Sequence, residues 1–153
     1  MTDGRVTVKS RPGEDRLIYL VSMARNRLQG RLKSALAADG VRVTPAQSGI
    51  LFLLKQKDGR TMTELGRAIA IDNATITGLV DRLERAGFVR RNESASDRRA
   101  LNVSITSEGV AEADRAKAVV KRVNGSIKAG FSAGEVEALK KILLNIIEGP
   151  GDR

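Results

Sequence analysis

The chain has 153 residues, of which 41% are hydrophobic and 29% charged, a composition typical of a globular protein long enough to bury a core. Its formal net charge is +9, so a polyanionic partner is expected, nucleic acid before an anionic membrane surface. The sequence contains no cysteine and no histidine, which excludes disulfides, thiol chemistry and histidine-based catalysis or metal binding. Aromatic residues make up only 3%, which argues against base stacking as a binding mode.

The ends of the chain carry few structural signals. Residues 1–13 are polar and basic and end in Pro12-Gly13; we expect a flexible N-terminal arm, either disordered or reinforcing phosphate contacts. Residues 149–153 are expected to form a C-terminal tail. No apolar run approaches the roughly 18 residues of a membrane span, and the N-terminus lacks the apolar core of a signal peptide. With the missing cysteines, this predicts a cytoplasmic protein that does not bind membranes.

Two helices are predicted before residue 57. Apolar residues from Leu17 onward keep a helical period over about residues 14–39, and Gly40 ends the pattern. This first helix is longer than its own core needs, so we expect part of it to pack on a partner. Thr44, Pro45 and Gln47 then form a capping-box start for a second helix, which is apolar nearly all round and is predicted to be buried.

The next two helices have the pattern of a helix-turn-helix. Thr61 and Glu64 form a second capping box, and Asp72 and Gly87 occupy the N-cap and C′ positions of the helix after it. The apolar face of that helix comprises Ile76, Leu79, Val80, Leu83 and Ala86. The opposite face comprises Asn73, Thr75, Thr77, Gly78, Asp81 and Arg82. Such a polar face can enter a DNA major groove and contact base edges, although an ordinary surface helix is an alternative.

A basic hairpin is predicted directly after Gly87. Residues 88–92 and 101–105 alternate apolar with polar positions, as half-buried strands do, and the loop between them carries Arg98 and Arg99. This arrangement indicates a winged helix whose arginines can reach a minor groove; a solvated surface hairpin is the alternative. From Arg82 to Arg99 there are six arginines (82, 85, 90, 91, 98 and 99) against three acids (84, 93 and 97). Phosphate neutralisation is therefore expected to supply most of the affinity.

Two further helices are predicted at the C-terminal end. One runs from about residue 107 to 129, and Ser132 and Glu135 form a capping box that opens the other. The apolar stripe of the last helix exceeds what a peripheral helix needs. A dimer interface is accordingly predicted at Leu17, Leu139, Leu143, Ile146 and Ile147. The predicted fold is mainly α with a small β wing, in one domain over residues 14–148. Its winged helix-turn-helix core (about 44–106) lies between N- and C-terminal dimerisation helices (about 14–39 and 107–148).

This arrangement resembles the multiple-antibiotic-resistance regulator (MarR) family of bacterial transcription factors over roughly residues 14–148. The similar stretches are residues 43–47, 61–65, 71–89, Asp97-Arg98-Arg99 and 105–109. A recognition helix that leads to a wing with Asp-Arg-Arg and then to Thr-x-x-Gly is a specific combination, although no one of these pieces would suffice.

The resemblance implies a homodimer in which the first and last two helices of each chain interlock. Such proteins bind pseudo-palindromic operators in double-stranded DNA and usually repress transcription until a small aromatic or anionic effector binds. By position in the motif, Thr75, Thr77, Gly78 and Arg82 would face the groove, beside Asn73 from the helical pattern. Arg98 or Arg99 would be the wing arginine and Asp97 the acid that holds it.

The sequence also departs from the family pattern. It lacks the cysteine on which the peroxide-sensing branch of the family depends, so that mechanism is excluded here. The usual Asp-Pro before the wing motif is replaced by Glu-Ser-Ala-Ser at residues 93–96. Gly78 removes a possible base-reading side chain, and either admits a closer backbone approach or contributes nothing to readout.

An effector site is predicted on the first helix. Arg16 and Arg27 could hold an anionic molecule near Tyr19 and Met23, because guanidinium groups pair well with carboxylates; alternatively, these arginines face solvent or pair with acids of the partner. No glycine-rich phosphate loop or metal-ligand cluster occurs, so no enzyme activity, cofactor or metal is expected. The predicted function is a sequence-specific regulator, the alternative a non-specific architectural DNA-binding protein without an effector.

Overall fold

The computed structural model describes residues 16–93 and 101–149. In these ranges the helices are α1 (Leu17–Ala38), α2 (Pro45–Gln56), α3 (Met62–Ala68), α4 (Asn73–Arg85), α5 (Ser107–Lys128) and α6 (Ala133–Glu148). The strands β1 (Arg60–Thr61), β2 (Val89–Glu93) and β3 (Leu101–Ile105) form one antiparallel sheet in the order β1-β3-β2. The predicted class, mainly α with a small β wing, is confirmed.

The helix boundaries follow from local sequence. Three predicted capping boxes are present: Thr44 with Gln47, Thr61 with Glu64, and Ser132 with Glu135. Helix α4 ends in a Schellman motif, because Gly87 adopts a φ of +81° and donates its N–H to the Glu84 carbonyl at 3.0 Å, while Phe88 donates to the Leu83 carbonyl at 2.9 Å. Gly40, with a φ of +71°, ends α1 in the same way.

The buried core lies between the end of α1, helices α2, α3 and α4, the sheet and the first half of α5. Its largest fully buried apolar side chains are Phe88, Leu36, Ile50, Leu51, Leu54, Leu65, Ile76 and Leu83. Helix α6 contributes no buried residue, and the first turns of α1 are exposed throughout. The winged-helix part and the last turns of α1 therefore share one core, whereas the first turns of α1 and the whole of α6 present apolar surfaces that a single chain does not cover.

A buried carboxylate ties the α1–α2 connection to α5. Glu112 has 0% exposed surface, and its two oxygens accept hydrogen bonds from the Arg42 backbone N–H and from the Arg115 guanidinium. Burial acts to raise the pKa of Glu112, but the bonds from Arg115 and Arg42 outweigh it, so the pKa lies below its ordinary value. The Arg42 guanidinium also stacks over the Phe88 ring, 4.8 Å from its centroid. This cluster joins α5 to the residues that follow α4.

Glu112→Gln is expected to lower stability at neutral pH by roughly 1–3 kcal/mol, because the amide cannot replace the charge-assisted bonds. Since the folded pKa is depressed, the charge contributes stability that is present above the unfolded pKa and lost as pH falls through the folded pKa. The difference between wild type and variant should therefore shrink in urea unfolding from neutral pH to about pH 3 at one protein concentration. If the difference in unfolding free energy between wild type and variant stays constant over this pH range, the stabilising role of the Glu112 charge is contradicted.

The structure departs from the sequence-based prediction at several positions. Strand β1 was not predicted, and β2 begins at Val89 rather than at residue 88. Ala86, assigned to the apolar face of α4, is exposed because it follows the last helical turn. In the described ranges, no helix is long and apolar enough to cross a membrane.

Candidate nucleic-acid interface

Helices α3 and α4 form the predicted helix-turn-helix, and the turn between them is packed closely on α3. Ile71 donates its N–H to the Gly66 carbonyl at 2.9 Å, and a Cβ on Gly66 would lie only 2.9 Å from the Ile71 carbonyl oxygen. Ala70 adopts a positive φ of +54°, which reverses the chain direction in this turn. These contacts fix where α4 begins and how it projects from the core.

Helix α4 has one buried and one exposed side. Ile76, Leu79, Val80 and Leu83 are buried. On the other side, four of the five predicted DNA-binding residues of α4 are exposed and Gly78 is half-buried: Asn73, Thr75, Thr77, Gly78 and Arg82. The structure therefore leaves these residues accessible, spread around about half of the helix circumference. Their contact with DNA stays a prediction.

Two exposed residues on this surface were not among the predicted contacts. Ala74 and Arg85 are both exposed, and they lie four residues before and seven residues after Gly78. The helical period puts these three positions on the same side, so the spacing alone contained the signal. Ala74 offers a methyl group near the first turn, and Arg85 a cation near the last.

The threonine hydroxyls of α4 are engaged within the helix. Asp72 accepts the Thr75 backbone N–H at 2.8 Å and the Thr75 hydroxyl at 2.9 Å, and these bonds, the backbone one first, lower the pKa of Asp72. The Thr77 hydroxyl donates to the Asn73 carbonyl at 2.8 Å. The groups that remain available are therefore methyls and oxygen lone pairs, which suit a thymine methyl or a base amino group.

Gly78 leaves open space in the middle of α4. A Cβ built there would meet nothing within 4 Å among the described residues. A mid-helix glycine costs about 1 kcal/mol relative to alanine, and no neighbour in the described part of the chain requires it. The gap therefore leaves room for another molecule to approach the helix backbone.

Arg91 does not belong with the exposed arginines counted for phosphate neutralisation. Its side chain is 22% exposed, and its guanidinium pairs with Asp81 and, at 3.2 Å, with Glu84, both on α4. That positive charge is already balanced by carboxylates. Within the described part of α4, the accessible cations are Arg82 and Arg85, whereas the exposed Arg90 of β2 lies beside Glu108 at the start of α5.

The wing follows α4 directly. Strands β2 and β3 pair with Val89 opposite Ile105 and Glu93 opposite Leu101. The base of the wing contacts the start of α5 through two hydrogen bonds. The Thr106 hydroxyl donates to the Gly87 carbonyl at 2.6 Å, and the Thr106 N–H donates to the Phe88 carbonyl at 3.0 Å. The predicted wing residues Asp97, Arg98 and Arg99 lie outside the described residues.

The predicted effector residues lie along one side of α1. Arg16, Tyr19, Met23 and Arg27 are all exposed in the single chain. Arg27 also lines a cleft of about 610 Å³ between α1 and α5, together with Arg31 and Gly30. A role for these residues in ligand binding stays a prediction.

The predicted dimer residues form an uncovered apolar surface. Leu17, Leu139 and Leu143 line one groove of about 620 Å³ between α1 and α6. The exposed fractions run from 37% for Leu143 to 77% for Ile147. Contiguous exposure of this kind marks an interaction site in a protein with a separate, well-buried core.

Three comparisons relate this chain to known proteins. The MarR family model matches residues 43–101. The organic hydroperoxide resistance transcriptional regulator of Bacillus subtilis (strain 168) is 25% identical over 135 residues, covering 88% of this chain and 89% of the relative. A probable transcriptional regulator from Pseudomonas aeruginosa superimposes with a TM-score of 0.79 at 30% identity, covering 86% of this chain and 97% of the other.

Two solved structures that carry the name CouR are similar to this chain. The transcriptional repressor CouR bound to a 23-mer DNA duplex has a TM-score of 0.79 and 30% identity, covering 86% of this chain and 92% of that one. CouR from Rhodococcus jostii RHA1 bound to p-coumaroyl-CoA has a TM-score of 0.77 and 26% identity, with coverage of 91% and 96%.

The fold and the exposed α4 surface define a winged helix-turn-helix protein. Two solved structures are 30% identical to this chain over most of both chains, and this similarity narrows the class to one family. The chain belongs to the MarR family of transcriptional regulators.

Proposed function

We propose that this protein is a homodimeric repressor that binds a pseudo-palindromic operator in double-stranded DNA and leaves it when a small aromatic or anionic effector binds. The observation that carries the proposal is the exposed polar face of α4, held beside a wing by a packed helix-turn-helix. The protein acts in the bacterial cytoplasm under this proposal, and catalysis has no part in it.

The dimer supplies the second recognition helix. Leu17, Leu139, Leu143, Ile146 and Ile147 are proposed to pack against the same residues of a second copy. Support comes from their exposure in a single chain and from the absence of any buried residue on α6. A two-fold dimer would present two α4 helices to half-sites about 34–36 Å apart, one turn of DNA.

The effector is proposed to bind near Arg16, Tyr19, Met23 and Arg27. CouR, solved with the anionic aromatic thioester p-coumaroyl-CoA, supports control by an effector of this chemical class. The Bacillus subtilis relative is named for organic hydroperoxide resistance, but thiol oxidation is not proposed here because this sequence has no cysteine. Titration of the operator complex with aromatic carboxylates and acyl thioesters tests the step, and failure of every compound to release DNA would count against it.

Selection of bound sequences from random duplex DNA tests the main proposal. A repressor of this design should enrich two inverted half-sites at a fixed spacing. Competition between the selected site and random DNA at stated salt then gives the specificity ratio. Equal affinity for both would favour the alternative, an architectural DNA-binding protein without an effector.

Arg82→Ala should weaken binding to the selected operator while the dimer stays folded. If the guanidinium contacts a guanine, the loss should be about 1–3 kcal/mol for each half-site, roughly 5–150-fold, and confined to one position of each half-site. If it contacts a phosphate, all sequences should lose affinity equally and the dependence on salt should become shallower by about one unit for each half-site, or about two for the dimer. Fluorescence anisotropy over a salt series separates the two modes.

Lys121→Ala is the matched control for Arg82→Ala. Lys121 is an exposed cation on α5, remote in sequence from α4 and the wing. Its removal should leave operator affinity within about twofold, because single exposed charges distant from an interface contribute little. If Arg82→Ala binds the operator as tightly as this control does, Arg82 is not part of the proposed interface.

A further inference from the structure

Arg91 forms a bridge between the wing and the α4 helix. It lies in the middle of β2, and three of its donors reach back to α4. Its backbone N–H donates to Glu84 Oε2 at 2.8 Å, one guanidinium nitrogen donates to Glu84 Oε1 at 3.2 Å, and the other pairs with Asp81. We call Asp81, Glu84 and Arg91 the wing clamp. The strand is thus held to two successive turns of α4 in a forked, orientation-specific contact.

The clamp also satisfies the open edge of the sheet. In the strand order β1-β3-β2, no strand of the described residues lies beyond β2, so the outward N–H of Arg91 requires another acceptor. Glu84 supplies it. The opposite residue on β3 is Val103, which is fully buried, so the strand is anchored through the core on one side and through the clamp on the other.

We infer that Asp81, Glu84 and Arg91 are positioning residues for DNA recognition: they set the angle between α4 and the wing and do not contact phosphate. This inference rests on the proposed function. The three groups together carry a net charge of −1, in a surface proposed to meet a polyanion. On electrostatic grounds alone the two carboxylates oppose DNA binding. Their presence beside Arg82 and Arg85 is explained if the geometry they impose outweighs that repulsion.

The direction in which one double substitution changes operator affinity shows whether the carboxylates act through geometry or through charge. The double variant Asp81→Asn/Glu84→Gln keeps the side-chain shapes, removes both negative charges and disrupts the clamp. If the clamp positions the wing, affinity for the selected operator should fall at least tenfold, while affinity for random DNA is unchanged or higher. If the carboxylates only repel phosphate, the variant should bind both DNAs more tightly with an unchanged specificity ratio, and the inference is overturned.

Arg91→Lys provides a test at constant charge. A lysine ammonium is a single point donor and cannot pair with both carboxylates in the forked geometry. The clamp predicts a several-fold lower specificity ratio for this variant with an unaltered salt dependence. An Arg91→Lys protein with the wild-type ratio would overturn the inference, and so would an Arg91→Gln protein that loses affinity equally for both DNAs with a shallower salt dependence, because that behaviour marks a phosphate contact.

Glu93→Gln is the matched control. Glu93 is an exposed carboxylate on the same strand, outside the clamp. The substitution removes one negative charge without disturbing the clamp, so binding should strengthen slightly for both DNAs. Near-identical thermal unfolding of all variants establishes that they are folded. A wild-type protein without sequence preference would refute the proposed function, whereas a specific wild type whose double variant binds more tightly would refute the clamp alone.

Discussion

Leu143→Glu is expected to convert the protein from a dimer to a monomer and to lower operator affinity by about 10²–10⁴-fold. Leu143 lines the groove shared by α1 and α6 and also the neighbouring one between α5 and α6. Two-fold symmetry would place two new carboxylates in one apolar interface, and an unpaired charge in such a setting is strongly destabilising. Sizing with light scattering measures the mass, and anisotropy measures the affinity.

The loss of DNA affinity follows from the loss of bivalency. In a dimer the second α4 helix binds as an intramolecular step at high effective concentration, which is worth about 10²–10⁴ over one module. A monomer retains its winged helix, because the buried core of that part draws nothing from α6. The variant should therefore unfold cooperatively and still bind DNA weakly, with a salt dependence about half that of the wild type.

Asn145→Glu is the matched control for the dimer variant. It adds the same charge to the same helix two residues away, a step that the helical period places on the far side of α6. The control should remain dimeric and bind the operator normally. A Leu143→Glu protein that is still a dimer on sizing would show that the interface lies elsewhere on the molecule.

Local chemistry made much of the fold predictable from sequence. Capping boxes and C′ glycines act through neighbours three to six residues apart, so the starts of α2, α3 and α6 and the end of α4 could be assigned from the residues alone. Strand β3 was predicted with its observed limits, because alternation over five residues is a sufficient signal.

Long-range contacts set the limits of that prediction. Strand β1 has two residues, too few for a period, and exists only because Arg60 pairs with Val103 across the chain. Counting charges between Arg82 and Arg99 could not reveal that Arg91 folds back onto Asp81, since the two residues belong to different elements. Glu112 was detectable in principle: its spacing of four and seven residues from Ala116 and Val119 puts it on the buried side of α5.

Gly109→Ala is expected to destabilise the protein by more than about 3 kcal/mol, a drop in Tm of roughly 10 °C. A Cβ at this position would lie 2.1 Å from the Phe88 carbonyl oxygen and 2.8 Å from a side-chain carbon of Ile105. The nearest atom belongs to the backbone, so no rotamer change relieves the overlap. Helix α5 must move away, which lengthens the Thr106 hydrogen bonds to Gly87 and Phe88 that hold it to the end of α4.

Gly78→Ala is the comparison that isolates this steric effect. The same substitution there meets open space in the middle of α4, so without DNA it should stabilise the protein by up to about 1 kcal/mol through helix propensity. Calorimetry of the two variants and wild type at one concentration provides the measurement. The two substitutions should change Tm in opposite directions, because Gly109 is packed against the chain's own backbone whereas Gly78 faces outward. A Gly109→Ala protein as stable as the wild type would mean that α5 does not pack against Phe88 so closely, and the rigid connection from α5 to α4 would then lose its basis.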